Sequence, residues 1–210
     1  MAKLLYITCD LRPEDQSYGL MAGAAFLGEY LKRNPRDEIH MLDLYRDSVQ
    51  SADPDVLCAL GKMSRGHHFA TLTTVEQRKI DRMWALSGQF AAAGKYVVVT
   101  PLWKPGLPPE LWGYLDSILV SGKTYQNTSC GPQGLLKGRE RKCLLIHSAE
   151  GFAYGERELY CISNLRNALK FLGIEEFSSI LVEGGKQTHE MDGDQIGFES
   201  EKVAAAALNF

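Results

Sequence analysis

Gln16 and Ser17 stand just before an amphipathic stretch that begins at Gly19, and this is a place where proteins bind phosphate groups. The first turn of a helix has backbone N–H groups without partners inside the helix, and its dipole attracts negative charge. An amide and a hydroxyl there add hydrogen bonds to a bound phosphate. Serine is also a common N-cap, so two roles stay open for Ser17, phosphate ligand and helix cap.

Three carboxylates share this loop and oppose a phosphate there. A carboxylate close to a phosphate costs free energy unless a cation or solvent screens it, and Arg12 is the cation at hand. Asp15, like Ser17, is of a type that caps helices. The three carboxylates are Asp10, Glu14 and Asp15.

A second candidate site follows the apolar run 97–99. The run ends near Pro101, and a turn of proline, glycine and aromatic residues follows, in which Trp103 offers a flat side chain. Pro109 and Glu110 then open a helix, because a first turn tolerates the missing N–H of proline and its dipole favours an acid. Loops of this kind, beyond the carboxyl ends of parallel strands, are where ligands bind in open sheets.

Other kinds of site find little support in the sequence. The neighbours His67 and His68 point to opposite sides of an extended chain and lack a local carboxylate, which favours a solvated loop over a metal site. Ser148 beside His147 is not a nucleophile and its base, because neighbours on a strand point in opposite directions. The fingerprints of a P-loop, a Rossmann dinucleotide site and an α/β-hydrolase are missing. We expect no metal ion.

Apolar runs typical of strands alternate with helical periodicity along the chain. The predicted strands are residues 4–8, 38–42, 96–100, 142–147 and 177–182. The predicted helices are residues 19–32, 75–93, 109–120, 157–172 and 199–208. This alternation predicts an α/β fold of three layers, with helices on both faces of a five-stranded parallel sheet.

The economical strand order for such a sheet is 2-1-3-4-5, the flavodoxin-like arrangement, in a single domain over residues 1–210. This order brings three loops together at one edge of the sheet: residues 9–18, 101–106 and 148–155. Residues 45–74 fit neither pattern, and we expect them to form a mobile excursion that covers the site.

Composition and charge limit the classes of partner and the cellular compartment that the sequence predicts. A net charge of -3 without a long basic block predicts neither nucleic acid nor a membrane surface as a partner. The N-terminal apolar run is too short for a signal peptide or a membrane span, so the cytoplasm is the expected location. The scattered cysteines contain no C-x-x-C pair, which predicts reduced thiols rather than disulfides or zinc. They are Cys9, Cys58, Cys130, Cys143 and Cys161.

The run from Pro101 to Gly138 resembles a known family, the FMN-dependent NADH azoreductases. The matching features are the proline that ends the third strand, the aromatic Trp103, the helix segment 114–116, and Gly-Pro-Gln-Gly-Leu at 131–135. Weaker similarity extends over nearly the whole chain and is poorest over residues 45–74. Members of this family are flavodoxin-like and also reduce quinones, and some have been named acyl carrier protein phosphodiesterases.

The resemblance implies an FMN-dependent NAD(P)H oxidoreductase. FMN would accept a hydride from NADH or NADPH and pass two electrons to a quinone or azo compound in a ping-pong cycle. Hydride chemistry belongs to the flavin, so no side chain is expected to be catalytic. The resemblance also implies a homodimer with FMN near the subunit interface.

Carried over residue by residue, the resemblance implies three cofactor-binding loops. The first would bind the phosphate, the second would bind the flavin ring with Trp103 against it, and the third would also contact the cofactor, near the ring. The implied residues are Cys9, Gln16 and Ser17 in the first loop, Pro101, Leu102, Trp103 and Lys104 in the second, and Ser148 and Gly151 in the third.

Three departures from the family pattern keep a second hypothesis open. Asp15 stands where the family has serine, Pro105 removes an N–H near the ring, and Glu150 brings a negative charge to the third loop. Lys104 either offsets that charge or is an ordinary solvated lysine. The alternative is a flavodoxin-like relative that has lost FMN and acts as a binding module or on another ligand.

Overall fold

A computed structural model describes residues 1–102, 106–149, 156–183 and 200–210 of the protein. Its strands are β1 (Lys3–Thr8), β2 (Glu38–Asp43), β3 (Lys95–Pro101), β4 (Tyr125–Thr128), β5 (Gly131–Gly134), β6 (Lys142–Ala149) and β7 (Glu176–Glu183). Five of them form a parallel sheet in the order β2-β1-β3-β6-β7. The predicted order 2-1-3-4-5 is confirmed, since β6 and β7 are the fourth and fifth strands of this sheet.

Helices cover both faces of the sheet, as predicted. The described helices are α1 (Tyr18–Arg33), α2 (Pro54–Ser64), α3 (Thr74–Ala92), α4 (Pro109–Ile118), α5 (Glu156–Leu172) and α6 (Ser200–Asn209). Side chains of α1 and α6 share one buried cluster with the sheet, and side chains of α3, α4 and α5 share another. None of the described helices is long and apolar enough to cross a membrane.

The alternation of side chains along the central strands separates the two clusters. In β1, Leu5 and Ile7 pack towards α3, α4 and α5, whereas Leu4 and Tyr6 pack towards α1 and α6. Strands of this kind are buried on both faces, which explains their continuous apolar sequence. Polar side chains that could bind a ligand must therefore come mainly from the loops at the edge of the sheet, where the strands end.

Residues 45–74, which fit neither pattern in the sequence, contain the helix α2, whereas their mobility and their covering of the site remain predictions. The Asp53 side chain accepts a hydrogen bond from the backbone N–H of Val56 (3.0 Å), and Pro54 is the first helical residue. Val56 and Ala59 are buried in a separate cluster with Ile80 of α3. The pair Asp53-Pro54 is the helix-start signal that the sequence offered.

A hairpin of two short antiparallel strands, β4 and β5, was not predicted. It lies against the end of α5: a Cβ on Gly134 would stand 2.0 Å from the carbonyl oxygen of Phe171. The Leu136 N–H also donates to the carbonyl of Leu172 (3.0 Å). The hairpin therefore depends on contact with α5 rather than on an apolar pattern of its own.

Candidate functional site

Hydrogen bonds bring the three predicted loops together at the carboxyl edge of the sheet. The N–H of Cys9, directly after β1, donates to the carbonyl of Val99 in β3 (2.9 Å). The N–H of Leu102, directly after β3, donates to the carbonyl of Ser148 in β6 (2.8 Å). The predicted convergence of the loops after β1, β3 and β6 is confirmed for the described residues.

Ser17 is the N-cap residue directly before α1 and is completely buried. Its hydroxyl oxygen accepts a hydrogen bond from the N–H of Leu20 (3.2 Å), so the capping role is present. The same hydroxyl donates to Asp10 Oδ2 (2.7 Å). Gln16 and Asp15 lie exposed in the 3-10 turn just before Ser17. A contact between Gln16 or Ser17 and a phosphate remains a prediction.

Asp10 is buried at the centre of a hydrogen-bonded network that sequence reasoning missed. Its carboxylate accepts hydrogen bonds from the Arg12 backbone N–H (3.0 Å), from Arg12 Nε (3.1 Å) and from Arg12 Nη2 (2.8 Å), besides the one from Ser17. Burial alone would raise the pKa of Asp10, but the hydrogen bonds from Arg12 and Ser17 outweigh it and hold the pKa below its ordinary value. Asp10 is therefore ionised and paired.

Ser148 places a second hydroxyl at the first turn of α1. Its side chain is fully buried, and among the described residues its Oγ has no hydrogen-bond partner. A Cβ on Gly19 would stand 3.3 Å from Ser148 Oγ and 3.7 Å from Ser17 Oγ. A buried hydroxyl without a partner costs about 1–3 kcal/mol, and a ligand oxygen at this place would remove that cost. A hydroxyl with an unused hydrogen beside the N-terminus of a helix has the donor chemistry that suits an anion such as a phosphate group.

Cys9 is a buried neutral thiol in the cluster shared by α3, α4 and α5, on the face of the sheet opposite to α1. Burial, together with the nearby carboxylate of Glu110, raises the pKa of Cys9 to about 12. A thiol with so high a pKa is not a nucleophile at neutral pH, and the N–H of Cys9 is already bound to Val99. The phosphate contact assigned to Cys9 by the resemblance remains a prediction.

The second and third loops are described only at their starts. Pro101 ends β3 and lies beside Ser148 in the sheet register, and the buried Leu102 follows it. Of the predicted site residues, Trp103, Lys104 and Gly151 lie outside the described residues. The same holds for Pro105 and Glu150, which distinguish this chain from the family pattern.

His147 and Ser148 face opposite sides of the sheet, as the sequence argument requires. Ser148 points towards α1, whereas His147 shares the face of Leu145, towards α3, α4 and α5. His147 is buried, and burial lowers its pKa to about 4, so the imidazole is neutral near pH 7. The two side chains do not form a nucleophile and base pair.

A cavity of about 450 Å³ lies between the segment after β2 and the first turn of α4. Glu110, which lines the cavity, accepts a hydrogen bond at its Oε2 from the Tyr45 hydroxyl (2.9 Å). Glu110 also acts on the pKa of Cys9, so the cavity adjoins the loop after β1. Its lining consists of Leu44, Asp47, Ser48, Val49, Ser51, Pro109, Glu110 and Gly113.

Other candidates from the sequence do not form sites in the described part of the chain. His67 and His68 are exposed, and no group of three metal-ligating side chains occurs among the described residues. The five cysteines all lie within the described residues and are thiols rather than disulfides, with Cys9 and Cys143 buried.

Comparison with known proteins identifies the family to which this chain belongs. The chain matches a protein family described as having a flavodoxin-like fold over residues 2–201. It is 48% identical over 210 residues to an FMN-dependent NADH:quinone oxidoreductase of Geotalea uraniireducens, covering 100% of both chains. The protein belongs to the FMN-dependent NADH azoreductase family. A Bacillus subtilis member, named FMN-dependent NADH:quinone oxidoreductase 2, is 38% identical over 193 residues and 88% of each chain.

A solved azoreductase confirms the relationship in three dimensions. The FMN-dependent NADH-azoreductase of Bacillus anthracis, crystallised in complex with FMN, superposes with a TM-score of 0.85 at 29% identity. The match covers 100% of this chain and 99% of that chain. The family resemblance and the flavodoxin-like fold expected from the sequence are therefore confirmed.

Proposed function

We propose that the protein is an FMN-dependent NAD(P)H oxidoreductase that reduces quinones and azo compounds. Family membership supports the proposal, and the observation that carries it is the buried Ser148 hydroxyl at the first turn of α1, in a chain whose azoreductase relative binds FMN. Bound FMN would supply the hydride acceptance and the two-electron transfer, with NADH or NADPH as donor, in a ping-pong cycle.

The residues at the start of α1 fit the phosphate of FMN. The first-turn N–H groups of α1 provide a partial positive charge, and the Ser148 hydroxyl has a hydrogen to donate. Ser17 has given its hydrogen to Asp10, so in this arrangement it fixes the start of the helix. We propose that Gln16 completes the phosphate site from the same loop.

The ends of β3 and β6 would position the flavin ring. The hydrogen bond from the Leu102 N–H to the Ser148 carbonyl fixes the two loops relative to each other. Pro101 is buried beneath them and gives a rigid start to the second loop. We propose that Trp103, Lys104 and Gly151 contact the ring from these loops.

We also propose that the enzyme is a cytoplasmic homodimer, with neither nucleic acid nor a membrane as a partner. Family resemblance supports the dimer, and Leu57 and Leu60 of α2 are exposed apolar side chains that a partner subunit would cover. Cysteines that form no disulfides suit a reducing compartment. Light scattering coupled to gel filtration is the test of the dimer, and a monomer over the working concentration range contradicts it.

The visible absorption spectrum of the purified protein, before and after incubation with FMN and desalting, tests the function. We expect a retained flavin band that NADH bleaches under anaerobic conditions and that a quinone restores. Bovine serum albumin carried through the same desalting controls for free FMN. A protein that retains no flavin and binds no FMN by titration contradicts the proposal and favours a relative that has lost FMN.

A further inference from the structure

Asp10 and Arg12 form a compact ion pair beside the proposed phosphate site. Two nitrogens of the Arg12 guanidinium contact the Asp10 carboxylate, at 3.1 Å and 2.8 Å. The carboxylate is 4% exposed and the Arg12 side chain 29% exposed, so solvent screens the pair only in part. Two-nitrogen contact of this kind fixes both the position and the orientation of the guanidinium.

Ser17 connects this ion pair to the anion site. Its Oγ is 2.7 Å from Asp10 Oδ2 and 3.7 Å from the position of a Cβ on Gly19, the place that Ser148 Oγ also approaches. Only the Ser17 hydroxyl thus separates the Asp10 carboxylate from the first turn of α1. Without a neutralising cation, its charge would repel a phosphate bound there.

We propose that the Asp10–Arg12 pair is a positioning and charge-setting device for the phosphate of FMN. Asp10 takes the hydrogen of Ser17, so that Ser148 is the hydroxyl that donates to the phosphate, and Arg12 cancels the charge of Asp10. The pair as a whole is neutral, and the phosphate is bound by the helix N-terminus and neutral donors. This inference rests on the proposed binding of FMN at α1.

A double-mutant cycle on FMN binding tests the inference. Asp10→Asn removes a negative charge near the phosphate and keeps Arg12, so we expect the Kd for FMN to fall about tenfold, ~1.4 kcal/mol. Arg12→Gln removes the cation beside Asp10, and we expect the Kd to rise about tenfold, ~1.4 kcal/mol. The double variant restores the net charge of the pair, so its Kd should return to within about threefold of the wild-type value.

Riboflavin, which lacks the phosphate, is the matched control ligand. Quenching of flavin fluorescence gives both dissociation constants, and the charge effect should appear for FMN and be absent for riboflavin. Asp15→Asn is the matched control variant, because Asp15 is an exposed carboxylate of the same loop. Solvent screens an exposed charge, so this variant should change the Kd for FMN less than about twofold.

Several outcomes would overturn the inference. Weaker FMN binding by Asp10→Asn would show that the carboxylate itself is needed, and equal changes for riboflavin would show that the loop, not the phosphate, is affected. If Arg12→Gln does not fold, Arg12→Lys keeps the positive charge but loses the two-nitrogen contact, so it should weaken FMN binding less than about tenfold. A wild-type protein that binds no FMN refutes the proposed function, whereas normal wild-type binding with unchanged variants refutes this inference alone.

Discussion

Two buried tyrosines of the same apolar cluster differ in how their hydroxyls are paired. Tyr96 Oη lies within hydrogen-bond distance of the carbonyls of Phe90 (2.8 Å) and Ala93 (2.9 Å). Tyr114 Oη has no partner among the described residues, and burial raises the pKa of this phenol, so it stays neutral. Both side chains are completely buried, which makes them a matched pair.

We expect opposite effects when each hydroxyl is removed. Tyr96→Phe loses a satisfied hydrogen bond and should lower the free energy of unfolding by about 1 kcal/mol. Tyr114→Phe removes an unpaired buried hydroxyl, so the free energy of unfolding should stay the same or rise by up to about 1 kcal/mol. Urea unfolding followed by circular dichroism measures both. Equal destabilisation by the two variants would mean that Tyr114 has a partner.

The Ser148 hydroxyl is also buried without a hydrogen-bond partner among the described residues, but it lies in the proposed phosphate site, where a ligand would accept its hydrogen bond. Ser148→Ala should leave the free energy of unfolding of the FMN-free protein unchanged or up to about 1 kcal/mol higher, because no hydrogen bond is lost. The Kd for FMN should rise about tenfold or more, since a hydrogen bond to a charged group is worth about 1.5 kcal/mol or more. Equilibrium unfolding and flavin titration separate the two effects, and a large loss of stability without FMN would contradict the assignment.

At the scale of elements, the position of α1 on the sheet depends on close packing at Gly23. A Cβ there would stand 2.1 Å from Tyr6 Oη and 2.8 Å from Val99 Cγ2, both on buried strands. Gly28 lies on the exposed side of the same helix, and a Cβ there would have no other atom within 4 Å. Substitution of Gly23 therefore tests close packing, whereas substitution of Gly28 tests helix propensity alone.

Alanine substitutions at these two glycines should move stability in opposite directions. Gly23→Ala forces Tyr6 or α1 to shift and should cost roughly 1–3 kcal/mol. Gly28→Ala should stabilise the protein by about 0.5–1 kcal/mol, because alanine is the better helix former. Thermal unfolding of both variants measures the difference. A neutral Gly23→Ala variant would contradict the close packing.

The elements that the sequence predicted are those with a strong apolar period of their own. The five sheet strands and the helices packed on them were located from such periods, whereas α2 and the hairpin β4–β5 were missed. α2 buries only Val56 and Ala59 among its helical residues and packs in a separate small cluster, so the pair Asp53-Pro54 was its clearest signal in the sequence. β4 and β5 are short and half exposed, and their position depends on α5.

The candidate site divides in the same way between local and long-range determinants. The capping role of Ser17 depends on a residue three positions away and was predictable from its type. The position of the Ser148 hydroxyl beside α1 results from its approach to Gly19. Gly19 lies far away in the sequence and comes close to Ser148 only in the folded protein. No local pattern contains that information.

At the scale of the whole molecule, the strand order decides what the carboxyl edge can do. Because β1 lies between β2 and β3, and β3 between β1 and β6, the loops after β1, β3 and β6 must meet. The same arrangement buries the ends of these strands, including His147 on the opposite face from Ser148. The strand order therefore both brings the site loops together and buries the imidazole of His147.

His147 should make the stability of the whole protein depend on pH. Burial lowers its pKa from 6.5 to about 4 in the folded protein, so between these values the unfolded chain binds a proton that the folded protein excludes. The free energy of unfolding should therefore fall as the pH falls from 6.5, by about 3 kcal/mol near pH 4. Asp10, whose pKa lies below its ordinary value of 3.8, contributes only at lower pH.

Urea unfolding between pH 7 and pH 4.5 measures this dependence, with FMN content held constant. His147→Gln removes the titrating group, so the variant should lose most of the decline in the free energy of unfolding on acidification. His68→Gln is the matched control, because His68 is exposed and should leave the decline unchanged. If His147→Gln and the wild type lose the same free energy between these pH values, the imidazole is not held neutral by burial, and the acid sensitivity arises elsewhere.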